Sequence, residues 1–149
     1  MIMIKKILLF CGFSCLINLQ IHAMIPDKSF FIAKWEAYLQ AFTKADYTTL
    51  GTQFHYPVSL LLENPMLLKD EASFVETIKF IREKKLQPGY AYSKTDSAKL
   101  TILSESSCYL DVVYSRYNAN HERIYQGRGL YFFKKFNDDW KIQVNMPIQ

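Results

Sequence analysis

The side chains in this 149-residue chain that could do chemistry are few, and their spacing excludes several mechanisms. Beyond residue 23 the histidines are His55 and His121, and the one cysteine is Cys108. A tetrahedral zinc site needs three or four clustered His, Cys or carboxylate ligands, and neither H-x-x-x-H nor C-x-x-C occurs, so no metal is expected. The nucleophile elbow G-x-S-x-G does not occur either. His55 stands at a helix-to-strand junction, as a proton-transfer group at a pocket rim or as a structural histidine. Gln126-Gly127-Arg128-Gly129 is glycine-rich, but a phosphate loop places its glycines at a strand-to-helix turn. These lie inside a strand pattern, where glycine marks a bulge or close packing. Arg116 and Arg128 share the central strands with Tyr114, Tyr117, Tyr125 and Tyr131. Each guanidinium either binds a carboxylate or polar ligand end, or pairs with Asp111 or Glu122 on the outer sheet face. Trp35, Tyr38 and Phe42 follow helical spacing, as a core stripe or as one wall of a ligand site. The candidate ligand-binding set is therefore Trp35, Tyr38, Tyr114, Arg116 and Arg128.

The first 23 residues read as an address. Lys5 and Lys6 precede a mostly apolar run from Ile7 to Leu19, and Ala23 offers a small residue for cleavage. That run is shorter than the roughly 20 residues a membrane span needs. The expectation is a signal peptide over 1–23 and an exported protein, periplasmic or secreted; an uncleaved anchor is the alternative. Cleavage would remove Lys5 and Lys6 and lower the net charge from +4 to +2, too little to favour nucleic-acid binding. It would also remove Cys11 and Cys15, leaving Cys108 without an internal disulfide partner, as a small apolar strand residue. No later segment is apolar enough for a stable membrane span.

Residues 24–149 are expected to form a single domain whose elements position these groups. Asp27 or Ser29 caps a first helix with Phe31, Trp35, Tyr38, Leu39 and Phe42 on one face. Asp46 caps a short second helix over residues 47–54. Pro57 precedes a buried strand, Val58 to Leu62, and Asn64-Pro65 marks a turn. Asp70 opens a third helix with Phe74, Ile78 and Ile81 on one face, stopped by Pro88-Gly89. The period then switches to two, giving strands over 90–103 (interrupted at Asp96-Ser97), 109–117, 123–136 and 140–146. In the last strand Trp140, Ile142, Val144 and Met146 alternate with polar residues and are expected on one buried face. Helices first and an antiparallel meander second make an α+β order.

This order resembles the nuclear transport factor 2-like superfamily, which includes SnoaL-like polyketide cyclases and ketosteroid isomerases. Three stretches carry the resemblance: Tyr38 to Asp46, running from the first helix into the capped second; the packing positions Leu50 and Phe54; and Asn137-Asp138-Asp139-Trp140-Lys141-Ile142 at the closing turn and strand. The resemblance implies a cone: a curved antiparallel sheet wrapped around three N-terminal helices, with a largely apolar pocket at the open end. Its isomerase branch implies roles for particular residues. Tyr38, eight residues before Asp46, matches the branch's oxyanion donor. The general-base carboxylate before a proline is replaced by Asn64 before Pro65, with Glu63 one residue away and so on the other strand face. The branch's protonated Asp falls near Tyr131 to Phe133, where no acid occurs.

Two function classes follow. One is a binding module, holding a small, mostly apolar ligand in the cone or using the sheet for homodimerisation or a partner. The other is an enzyme of cyclase, isomerase or dehydratase type, with Tyr38 acting beside Glu63 or His55. Neither implies a cofactor. They differ in whether an acid or imidazole stands within reach of Tyr38.

Overall fold

A computed structural model describes residues 25–148, so the expected signal peptide lies outside the described residues. Three helices form where the aspartates predict. Helix α1 (Lys28–Lys44) is capped by Asp27, whose carboxylate accepts from the Phe30 amide. Ser29 instead donates its hydroxyl to that carboxylate. Ala45 ends α1 in the left-handed conformation, with its amide turned back to the Ala41 and Phe42 carbonyls. Asp46 caps α2 (Tyr47–Thr52) through the Thr49 amide. Asp70 and Ser73 cap α3 (Glu71–Lys84) reciprocally, each side chain taking the other's backbone amide.

The strands are β1 (Phe54–Leu60), β2 (Met66–Leu68), β3 (Tyr90–Ser104), β4 (Ser107–Asn118), β5 (Arg123–Phe136) and β6 (Asp139–Ile148). Among the described residues they form one curved sheet in the order β2-β1-β6-β5-β4-β3. The meander β3 to β6 is antiparallel, as expected. The sheet as a whole is mixed, because β1 joins β6 in parallel and β2 adds an antiparallel edge that the sequence pattern does not reveal. Three residues are too few to show a period.

Two boundaries differ from the sequence reading. Helix α2 stops at Thr52 and β1 starts at Phe54, because Phe54 packs its ring 4.2 Å from that of Phe74 on α3. Pro57, with no amide to give a ladder, falls inside the register shift between Phe54 and Ser59. Leu61 and Leu62 lie beyond the strand end.

The core forms where α1 lies on the inner sheet face. Phe31 is wedged edge-on between Phe133 of β5 at 5.4 Å and Trp140 of β6 at 5.0 Å. Trp140 is 2% exposed and Ile142 1%, as the alternation predicts. The alternation then breaks. The β5–β6 register shifts between Phe132 and Phe133, leaving Gln143 without a partner between Ile142 and Val144. This bulge turns Val144 and Met146, expected inward, to the outer face and brings Asn145 in. Cys108 is fully buried in β4, and burial pushes its thiol up to about 12.

Trp140→Ala should cost about 3–5 kcal/mol in chemical denaturation, since it leaves a cavity against Phe31; a loss below about 1 kcal/mol would show that Trp140 is not wedged in the core. The caps set a pH dependence. Hydrogen bonds from the Ser73 amide and hydroxyl hold the Asp70 carboxyl below its ordinary value, and those from the Thr49 hydroxyl and amide do so for Asp46. A depressed native value contributes stability above the unfolded value near 4 and loses it as pH falls through the native one. The melting temperature should therefore fall on acidification below about pH 4, and Asp70→Asn, which keeps an acceptor at the cap, should flatten that fall.

Candidate functional site

Where α1 leaves the sheet toward its C-terminal half, the packing opens into a cavity of about 90 Å³. Helix α1 lines it with Trp35, Tyr38 and Phe42, one face at steps of three and four. Apolar side chains from α3 (Ile78, Ile81) and from the end of β1 (Leu60, Leu62) form the opposite wall. The sheet supplies the polar groups: Ser93 from β3, Tyr114 and Arg116 from β4, Tyr131 from β5 and Asn145 from β6. The volume suits several waters or a small molecule, and is well below the 300–1,000 Å³ typical of drug-sized sites.

The aromatic wall is tightly held. The Trp35 ring stacks on Tyr38 at 5.3 Å and lies 4.5 Å from Tyr131, and its indole N–H donates to Thr95 Oγ1 at 2.8 Å. Trp35 is therefore a satisfied core residue that also walls the cavity. The Tyr38 and Tyr131 rings pack with their centroids 5.6 Å apart. Burial pushes the phenols of Tyr38, Tyr114 and Tyr131 up, while the charge of Arg116 draws each of them back. All three stay protonated at neutral pH and remain hydrogen-bond donors.

Two glycines make room for these rings. Gly127 lies directly across from Tyr114 in the β4–β5 ladder, and a Cβ there would sit 2.8 Å from the Tyr114 hydroxyl. A Cβ on Gly129 would sit 3.2 Å from the Tyr131 ring. The Gln126-Gly127-Arg128-Gly129 stretch is thus close packing, in the service of two cavity tyrosines.

Arg116 is the cavity's cation. Its guanidinium lies 4.9 Å from the Tyr125 ring, 5.4 Å from Tyr114 and 6.0 Å from Tyr90. Nη1 donates to Gln87 Oε1 at 2.8 Å. Nε is buried with no acceptor, and no ion pair among the described residues includes Arg116. Asn145 is 9% exposed, and its Oδ1 likewise lacks a partner.

The structure thus brings Trp35, Tyr38, Tyr114 and Arg116 to one cavity and leaves the other candidates elsewhere. Arg128 is across from Val113, whereas Arg116 is across from Tyr125, so the two arginines project from opposite faces. Arg128 grips Asp111 on the outer face with hydrogen bonds of 2.8 and 2.7 Å. This is the outer-sheet alternative, and it removes Arg128 from the ligand site. His55 is the second residue of β1, five residues from Leu60, and stacks flat on Phe136 at 3.4 Å, away from the cavity lining. Glu63 is exposed in the turn after β1 and does not line the cavity either. Among the described residues the lining contains no Asp, Glu or His, and no group of three His, Cys, Asp or Glu could hold a metal.

Asn145 and Ser93 are polar site residues the sequence reading misses, and Asn145 is the instructive one. Strict alternation puts it outward with Lys141 and Gln143, and only the bulge reverses it. The available signal was an amide between two apolar residues, Val144 and Met146. Tyr131 is visible in sequence as one of the strand tyrosines, but its place in the cavity depends on the cross-strand row Leu110–Tyr131–Asn145.

Because Tyr38 lines the cavity, Tyr38→Phe should leave stability within about 0.5 kcal/mol and lower affinity for a cavity ligand by about 1 kcal/mol. Denaturation and titration of the same variant separate the two; a stability loss above about 1 kcal/mol with unchanged affinity would make Tyr38 a purely structural hydrogen-bonder.

The profile of a family described as NTF2-like protein (DUF6841) matches residues 30–148. No functionally curated protein matches the chain. Solved structures share the fold at low identity. A protein of unknown function with a cystatin-like fold from Nostoc punctiforme superposes with a TM-score of 0.69 at 11% identity, over 81% of this chain and 89% of that one. The association domain of C. elegans CaMKII gives 0.65 at 12% identity, over 82% of this chain and 95% of that one. An NTF2-like protein of unknown function from Shewanella oneidensis gives 0.61 at 10% identity, over 80% and 96%. At such identities the likeness establishes architecture alone.

Proposed function

The chain belongs to the NTF2-like family, and from that premise we propose that it is an exported binding module that holds a small, mostly apolar ligand in the cone cavity. The observation that carries this reading is the composition of the cavity wall. Phenol, guanidinium and amide groups face the interior beside leucine and isoleucine side chains, and neither an acid nor an imidazole joins them. Groups of that kind orient a ligand through hydrogen bonds and apolar contact. Proton transfer of the cyclase, isomerase or dehydratase type needs a base near Tyr38, and both His55 and Glu63 lie outside the lining. The binding reading asks nothing of them.

The outer sheet face is the proposed homodimer or partner surface. All three helices pack on the inner face, so a half-buried row of Tyr109, Phe132 and Val144 crosses β4, β5 and β6 uncovered. The Tyr109 and Phe132 rings are 5.3 Å apart, and Leu67 extends the row onto β2 at 62% exposed. Apolar rows of this kind are covered in most soluble proteins. The C. elegans CaMKII domain of the same fold is an association domain, which supports the same use here. Export rests on the signal-peptide reading of residues 1–23. In the described residues no helix is long and apolar enough to cross a membrane.

One experiment reads all three parts. Native mass spectrometry of the protein purified from the exported fraction should show a chain that begins at Met24, a dimeric assembly and a bound small molecule. An intact N-terminus in the membrane fraction would make the protein anchored instead of released. A ligand-free spectrum, with no small molecule retained by cavity-intact protein, would count against the binding reading.

A further inference from the structure

Resting on the ligand-binding reading above, we propose that the cavity's ligand is a small monocarboxylate, its anionic end on Arg116 and its apolar body against Leu60, Leu62, Ile78 and Ile81. The argument begins with charge. A guanidinium stays protonated in any protein environment, and a partly buried one needs an anion or full hydration. Arg116 is held over Tyr90, Tyr114 and Tyr125, and has no carboxylate partner among the described residues. The phenols of Tyr38, Tyr114 and Tyr131 cannot neutralise it, because burial keeps them protonated. The cavity therefore carries one uncompensated positive charge.

Hydrogen bonding points the same way. Gln87 occupies Nη1 and Nε is enclosed, while Nη2 makes no hydrogen bond to the described residues and is not enclosed. A carboxylate accepts a charge-assisted bond from such a guanidinium nitrogen. Asn145, nine-tenths buried on the next strand but one, lines the same space with its Oδ1 enclosed and unpartnered among the described residues. Water on Nη2 would hydrate the guanidinium but leave its charge unbalanced.

Size and charge narrow the class further. Arg116 is the one cationic side chain in the lining, so a phosphate dianion would bring a negative charge with no second cation to meet it. A cavity of about 90 Å³ encloses only a short chain. What fits is a short aliphatic acid, apolar over most of its length.

The probe pair is n-butyrate and its neutral isostere butyramide, titrated into the full chain by calorimetry and by NMR of the Arg116 Nε resonance. On the wild type, butyrate should bind at least about tenfold more tightly than butyramide and shift Nε. Arg116→Gln should erase that preference, and Arg116→Lys should retain part of it. Equal affinities on the wild type, or a preference that survives in Arg116→Gln, would overturn the carboxylate assignment while leaving ligand binding in place. If neither probe binds, the short-acid assignment fails, and the native mass spectrum alone decides the ligand-binding reading. Should Arg116→Gln not fold, the wild-type preference and the Nε shift decide the matter by themselves.

Discussion

The packing of helix α1 against the inner sheet face is the contact on which the rest depends, because one helix face has to seal a core and wall a cavity. Its N-terminal half presents Phe31, which meets Phe133 and Trp140 edge-on. Its C-terminal half presents Trp35 and Tyr38, which meet Tyr131. The helix meets the strands closely at Phe31 and Trp35 and draws away beyond them, where Tyr38 and Phe42 wall the cavity. A hydroxyl on a ring edge adds a polar group without loosening the wall, which is how a densely packed seam also carries hydrogen-bond donors.

The sheet departs from regular geometry at the positions that serve this seam. The bulge in β6 turns an amide inward in place of a valine, and without it Asn145 would face out. Gly127 and Gly129 lack the Cβ atoms that would collide with Tyr114 and Tyr131. The register shift in β3 between Thr95 and Ser97 keeps Thr95, which accepts the Trp35 indole, on the inner face opposite Tyr114. Local irregularities cost ladder hydrogen bonds, and here they coincide with the polar lining of the cavity.

That coincidence explains what was legible in the sequence and what was not. The helices were readable because each begins at an aspartate whose side chain takes a backbone amide, a strictly local interaction. The meander was readable from its two-residue period, and so were Trp140 and Ile142 as core. Tyr38, Trp35, Tyr114 and Arg116 could be singled out because an aromatic stripe and a basic-aromatic strand are themselves local patterns. Arg128 looked equivalent to Arg116 in composition, and only cross-strand pairing separates them, since Arg116 meets Tyr125 and Arg128 meets Val113. Asn145 was illegible because a bulge is defined by the partner strand, as one unpaired residue in β6. The parallel docking of β1 on β6 was hidden for the same reason: Phe54 and Ile142 are far apart in the chain.

The contrast between the two arginines bears on what the cavity is for. Arg128, on the outer face, meets its carboxylate at hydrogen-bonding distance, and the pair needs nothing further. Arg116, on the inner face, is provided with rings and an amide, and with no acid among the described residues. An aromatic surround orients a guanidinium and partly screens it from water, yet it contributes no negative charge to offset the lost hydration. Leaving Nε and Oδ1 unpartnered in a buried site is unfavourable for folding by an amount comparable to a lost hydrogen bond each. An anion bound to Arg116 in the folded state alone would offset the cost of holding that charge among rings, and binding would then couple to stability.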